Sequence, residues 1–147
     1  MEYKLKELAS PEDWKSFHEI REKSLFLERG KIGIYQQDHP DERNPQNHPL
    51  IFLLDGKPIG VLRLDELEDG IIGLRRVAII KEQRNKGHGS VMIKLVEEYA
   101  FNKLNANKII SNVDSGALNF YLKHGYSERA EDIHSEAIPM EKIIGIN

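Results

Sequence analysis

Cysteine does not occur in the 147 residues. That removes disulfides, thiol catalysis and thiolate-held metal sites together. An excess of charge of one sign is missing too: 21 Lys and Arg stand against 24 Asp and Glu, giving a net charge of −3 and a pI near 6.1. No basic field therefore draws the chain to nucleic acid or to an anionic membrane surface. Long apolar runs are lacking, and none approaches the roughly 20 residues of a membrane helix. The opening MEYKLKELAS is charged and alternating, unlike a secretory signal. The six histidines (18, 39, 48, 88, 124 and 134) have neither the i, i+4 pairing nor the H-x-H spacing of a metal site. These absences lead to the expectation of a cytoplasmic protein with no metal, no membrane and no nucleic-acid partner.

What is present is the balance of an ordinary folded protein, 39% hydrophobic and 31% charged. The length suits one domain, residues 1–147, with a real core. Residues 3–8 alternate as a half-buried strand does. Ser10 can cap a helix that starts at Pro11, and Asp13 can close a capping box. Trp14, Phe17, Ile20 and Leu27 carry the helical spacing to about residue 27. Residues 28–49 have no period and hold three prolines, which predicts a long surface loop of functional use.

Residues 50–54 and 59–64 read as a hairpin about Asp55-Gly56, with DELEDG as the next turn. IIGLRRVAII (71–80) is then a long central strand. A helix is expected over 88–103, a buried strand over 108–113, and a short helix over 116–124 with Gly125 as its stop. A last strand covers 138–144. The strands from 50 to 80 form an antiparallel meander, and the unit 71–113 is a parallel pair with a right-handed crossover. The fold class is mixed α/β, or α+β, around a mostly antiparallel sheet.

The stretch QRNKGHGS (83–90) joins the central strand to the long helix. It lacks the G-x-x-x-x-G-K-[ST] of a Walker loop. Met92 stands where a dinucleotide fingerprint needs its third glycine. Glycine still lets the backbone approach a ligand closely, and the first N–H groups of the following helix can receive an anion. Arg84 and Lys86 add positive charge. On the residues alone, a phosphate site and a plain turn both remain open.

Three motifs in order favour the site. RNKGHG (84–89) fits R/Q-x-x-G-x-G/A. DSGALNFYLKHGY (114–126) is similar to N-x-x-A-x-x-x-Y-x-K-x-G-F/Y through Ala117, Tyr121, Lys123, Gly125 and Tyr126. IPMEK looks like the family's last strand. In these motifs the chain resembles the GNAT family of N-acetyltransferases, over about residues 50–144. The resemblance implies a GNAT-like sheet with one parallel pair, strands four and five. It implies coenzyme A on the loop Arg84, Asn85, Lys86, Gly87, His88, Gly89 and Ser90. The pantetheine arm would lie along the backbone of Val77, Ala78 and Ile79, which also supplies the oxyanion donor. Lys123 would approach the phosphates, and Asp114 replaces the family's asparagine. Tyr121 is the expected general acid for the thiolate.

Strand four carries neither Glu nor His at Gly73 and Arg75, where some members place a base. Glu66, Glu68, His39 and His134 are alternatives, and no base is assigned. Arg75, taken by alternation to share a face with Gly73 and Val77, is expected to bind an anionic group of the acceptor. Tyr35 and His39 of the long loop, with residues 126–137, are expected to shape the acceptor pocket. The implied function is direct acetyl transfer from acetyl-CoA to a primary amine of a small molecule or peptide, by a monomer or homodimer. A non-catalytic acyl-CoA-binding or sensor module is the alternative. A plain interaction domain, which would not bind coenzyme A, is a third.

Overall fold

Ser10 and Asp13 exchange the two hydrogen bonds of a capping box and start helix α1 (Pro11–Leu25) after strand β1 (Tyr3–Glu7). The structure is a computed structural model and describes residues 1–130 and 137–145, the side chain of Arg43 excepted. A 3-10 turn at Leu27–Arg29 and another at Pro40–Arg43 lead to strand β2 (Asn47–Leu54). The expected loop is thus shorter at its end, because residues 47–49 already pair with strand β3 (Lys57–Glu68). Pro49 lies beyond Leu50, the last β2 partner of β1, so its missing N–H leaves no β1 bond unmade. Strand β3 also runs on through the expected turn, which contracts to Asp69-Gly70 before strand β4 (Ile71–Ile79).

Helix α2 (His88–Leu104) crosses to strand β5 (Lys108–Val113), and helix α3 (Leu118–Lys123) follows. Two strands close the sheet, β6 (Ser127–Glu128) and β7 (Ile138–Ile143). The order is β1-β2-β3-β4-β5-β7-β6, and β4–β5 is its parallel pair. The two-residue β6 carries no sequence period and was not foreseen.

Alternation divides the core. Leu50 and Phe52 point with Leu62, Leu64, Ile72 and Leu74 toward Met92, Val96 and Ala100 of α2. Ile51, Val61 and Ala78 point the other way, toward Phe17 and Ile20 of α1. Strand β4 changes this parity midway. Arg63 pairs with Arg75 and Val61 with Ala78, so β4 spends one more residue than β3 on the same interval. The extra residue is a β-bulge at Arg76, whose φ is +56°. Before it, Gly73 and Arg75 face α1; after it, Val77 and Ile79 pack on the α2 side. Arg75 therefore shares a face with Gly73 but not with Val77, which corrects the expectation from simple alternation.

Candidate active site

The parallel ladder between β4 and β5 ends at Leu74 and Ser111. Past that point the strands part, and the Ser111 hydroxyl donates 2.9 Å to the Leu74 carbonyl at the fork. A cleft of about 830 Å³ opens there, walled by Val77, Ala78 and Ile79 on one side and Asn112, Val113 and Asp114 on the other. Its floor reaches Gly87, Gly89 and Ser90 at the start of α2, and Tyr121 of α3. A hollow of about 880 Å³ between α1 and residues 37–42 is slightly larger. It touches neither the glycine loop nor Tyr121, so the chemistry is assigned to the smaller space.

The glycine loop leaves space beside the start of α2. Asn85 and Gly87 both take left-handed backbone, at φ +61° and +85°. Gly87 caps α2 without any side-chain hydrogen bond to the first turn. Those N–H groups and the positive end of a 17-residue helix are left to face an anion. A Cβ placed on Gly87 would meet nothing within 4 Å, whereas one on Gly89 would come within 3.2 Å of Phe120. The first glycine thus keeps space open, and the second lets α2 and α3 close together. The His124 ring ties the same corner, with Nε2 3.0 Å from the Ser90 hydroxyl.

Not every residue of the expected set reaches the cleft. The His88 ring is buried and lies with Nδ1 2.8 Å from the Tyr3 hydroxyl. Lys86 and Lys123 are exposed and do not line the cleft. Tyr35 packs edge-on to Phe26 at 5.0 Å between ring centres, and its hydroxyl meets His18. His39 caps the 3-10 turn at residue 40, accepting from the Asp41 N–H at 3.2 Å. Glu66 bonds His48 at 2.7 Å, and Glu68 is exposed. His134 lies outside the described residues. Among the described lining residues the only carboxylate is Asp114, and Arg29 pairs with it at 3.1 Å. That pair neutralises the aspartate that stands where the motif has asparagine.

Arg84 is engaged as well. Its Nε donates 2.7 Å to the Ile79 carbonyl and its Nη1 lies 2.8 Å from Glu28. Glu28 and Arg29 are consecutive, so one 3-10 turn bridges both walls of the cleft. Sequence reasoning missed this turn, since contacts spanning 56 and 85 residues leave no local signal.

Tyr121 is nearly buried at 6% exposure. Burial pushes its phenol up to about 12, the Asp114 charge adds to that, and the Ser111 side chain draws it down. The hydroxyl therefore keeps its proton throughout the physiological range. Behind it, the Tyr126 ring stands edge-on at 5.3 Å and donates 2.9 Å to Glu97, which also holds Lys142 at 2.9 Å.

On the α1 side, charges crowd. Arg63 grips Asp65 with Nε and Nη2 at 2.7 and 2.9 Å and reaches Glu42 at 3.1 Å. The buried Arg21 also contacts Glu42. Arg75 lies across Gly73, where a Cβ would come within 3.1 Å of its Nη2, and reaches Asp65 at 3.9 Å.

The sequence matches the Acetyltransferase (GNAT) family over residues 12–126. It is 31% identical to the uncharacterized N-acetyltransferase YjcF of Bacillus subtilis (strain 168) over 116 residues, 74% of this chain and 80% of that one. An acyl-CoA N-acyltransferase from Pseudomonas aeruginosa superposes with a TM-score of 0.79 at 16% identity, covering 96% of this chain and 98% of the other. A spermidine N-acetyltransferase from Vibrio cholerae, solved in complex with CoA and spermine, gives 0.76 at 17% identity, with 96% and 95% covered. With the split sheet, the glycine-started helix and the family match in agreement, the chain belongs to the GNAT family of acetyltransferases.

Proposed function

We propose that the chain transfers the acetyl group of acetyl-CoA to the primary amine of a small molecule or peptide. The observation that carries the reading is the continuity of the cleft, from the uncapped start of α2, past the parted strands, to the Tyr121 hydroxyl. The residues present fit coenzyme A: an open cradle at Gly87, free first-turn N–H groups, and Arg84 beside them. Acetyl-CoA supplies an acyl thioester. The amine nitrogen forms the new bond to the acyl carbon, the carbon–sulfur bond breaks, and sulfur leaves with the electron pair. The backbone of Val77 to Ile79 supports the developing oxyanion, and Tyr121 faces the thiolate.

A phenol pushed up to about 12 lies roughly three units above an ordinary thiol. Tyr121 therefore donates a hydrogen bond to the thiolate as it forms, and a proton it gives up is replaced from solvent. Among the described residues the cleft holds no histidine or unpaired carboxylate to act as base. The amine enters already deprotonated in this scheme, and the proton it sheds on becoming the amide passes to solvent.

The acceptor carries an anionic group in this reading, received by the arginines that line the cleft beyond the fork. The polyamine held by the Vibrio cholerae neighbour is a poor match, since among the described residues six cationic side chains and one carboxylate line this cleft. The test is thiol release from acetyl-CoA across a broad panel of primary amines. Turnover with some of them is the expected result. Coenzyme binding without turnover across the panel would replace this reading with the acyl-CoA sensor.

A further inference from the structure

Arg76 is the one strand residue forced out of line. Its left-handed backbone is unfavourable for any side chain but glycine, asparagine or aspartate. Such an outlier persists where the surroundings hold it, and it invites a functional reading. The bulge turns its guanidinium into the cleft, 5.9 Å above the Phe26 ring. There it forms no hydrogen bond or ion pair with any described residue.

Its neighbours explain the vacancy of partners. Arg63 is committed to Asp65 and Glu42, Arg21 to Glu42, and Arg75 to Asp65. Four arginines, counting Arg76, thus share three carboxylates, Glu42, Asp65 and, at 4.0 Å from Arg63, Asp41. Burial and the charges of Arg21 and Arg63 press the Arg76 guanidinium below its ordinary pKa. Nε and Nη2 of Arg21 and Oε2 of Glu42 are themselves buried without hydrogen-bond partners, and among the described residues the arginines of the cluster outnumber its carboxylates. Lys31 at the lip adds another cation to the cleft. Arg75 is less free, because its head lies over Gly73 and reaches Asp65 at 3.9 Å.

We infer that Arg76 binds the carboxylate of the acceptor, so that the substrates are small amino carboxylates whose amine points toward the β4–β5 fork. The planar guanidinium fork matches a carboxylate with two parallel hydrogen bonds, and the Phe26 ring lies 5.9 Å beneath it. This rests on the acetyl-transfer reading and adds the acceptor class and the residue that selects it.

The experiment compares binding with turnover in the coenzyme A complex. Calorimetry measures glycine, β-alanine and 4-aminobutyrate against the matching carboxylate-free amines, with O-phosphoethanolamine as a phosphate arm. The variants are Arg76→Gly, which relieves the backbone, and Arg76→Lys, which keeps the charge but not the fork. At least one amino carboxylate is expected to bind 10-fold or more tighter than its carboxylate-free partner. Arg76→Gly should remove about 10- to 100-fold of that preference, the size of a charge-assisted pair, without lowering the melting temperature. Arg76→Lys should restore only part of it. An unchanged preference in Arg76→Gly, no preference in the parent, or a stronger grip on the phosphate arm would each overturn the inference. Acetyl transfer is scored separately: its absence with every amine refutes the activity, while the Arg76 comparison still reads out on binding.

Discussion

At the scale of single residues, Tyr121 shows how burial prepares a group for one role. A hydroxyl at 6% exposure, its phenol pushed up to about 12, stays protonated at any working pH. Tyr121→Phe keeps the ring against Phe120 and Tyr126 and removes only the donor. Turnover should fall on the order of 10- to 1,000-fold with coenzyme affinity nearly unchanged, in line with acid catalysis generally. The two are checked by kcat and by calorimetry; an unaltered kcat removes Tyr121 from the chemistry. Stability has a signature of its own. The folded pKa is raised above the unfolded value near 10, so this contribution is complete below pH 10 and is lost as pH rises toward 12. The melting temperature of the parent should therefore drop relative to Tyr121→Phe across that window. A constant difference from pH 9 to 12 would contradict the assigned shift.

At the scale of elements, two local devices make the cleft. One is the left-handed Gly87 that begins α2. Gly87→Ala puts a side chain at φ +85°, which costs about 1–2 kcal/mol, and places a methyl in the space meant for the ligand. A melting temperature lower by a few degrees is expected, with coenzyme affinity down several-fold. Unchanged affinity would move the phosphate site elsewhere. The other device is the 3-10 turn that sets Glu28 on Arg84 and Arg29 on Asp114. Glu28→Gln releases Arg84 to a phosphate, and coenzyme should bind about two- to fivefold more tightly, the scale of an exposed ion pair. Weaker binding would mean that the turn braces the site rather than competing for it.

These devices mark the boundary of what could be read beforehand. The glycine loop, the capped start of α1 and the β5 span 108–113 were legible, because each is written in local propensity and period. The bulge was not. IIGLRRVAII reads as unbroken strand, and the slip at Arg76 is set by how Arg63, Asp65 and Ala78 find partners across β3 and β4. Alternation carried past the bulge put Arg75 on one face with Val77 and hid its neighbour. His39 and Tyr35 were picked from the loop for their chemistry, and the folded loop spends them on a turn and on packing against α1.

For the molecule as a whole, the distribution of charge matters more than its sum. The chain carries −3 overall. Among the described residues its cleft is nonetheless lined by Arg29, Lys31, Arg63, Arg75, Arg76 and Arg84 against the one carboxylate of Asp114. Lys31 and Arg76 lack a carboxylate partner among the described residues. A positive groove in an acidic body draws anions to one place and repels them from the rest. Coenzyme A, with its pyrophosphate and 3′-phosphate, should therefore bind with marked dependence on salt. Raising NaCl from about 0.05 to 0.5 M shortens the screening length from roughly 14 to 4 Å. Affinity should fall about tenfold, and most of the loss should appear in the association rate. Dephospho-coenzyme A, lacking one phosphate, should show a shallower slope. Stopped-flow measurements of both ligands across that range decide the matter. Equal slopes would mean that the third phosphate lies outside the field of the groove. A flat response for both would mean that hydrogen bonds at the start of α2, and not the charged rim, hold the coenzyme.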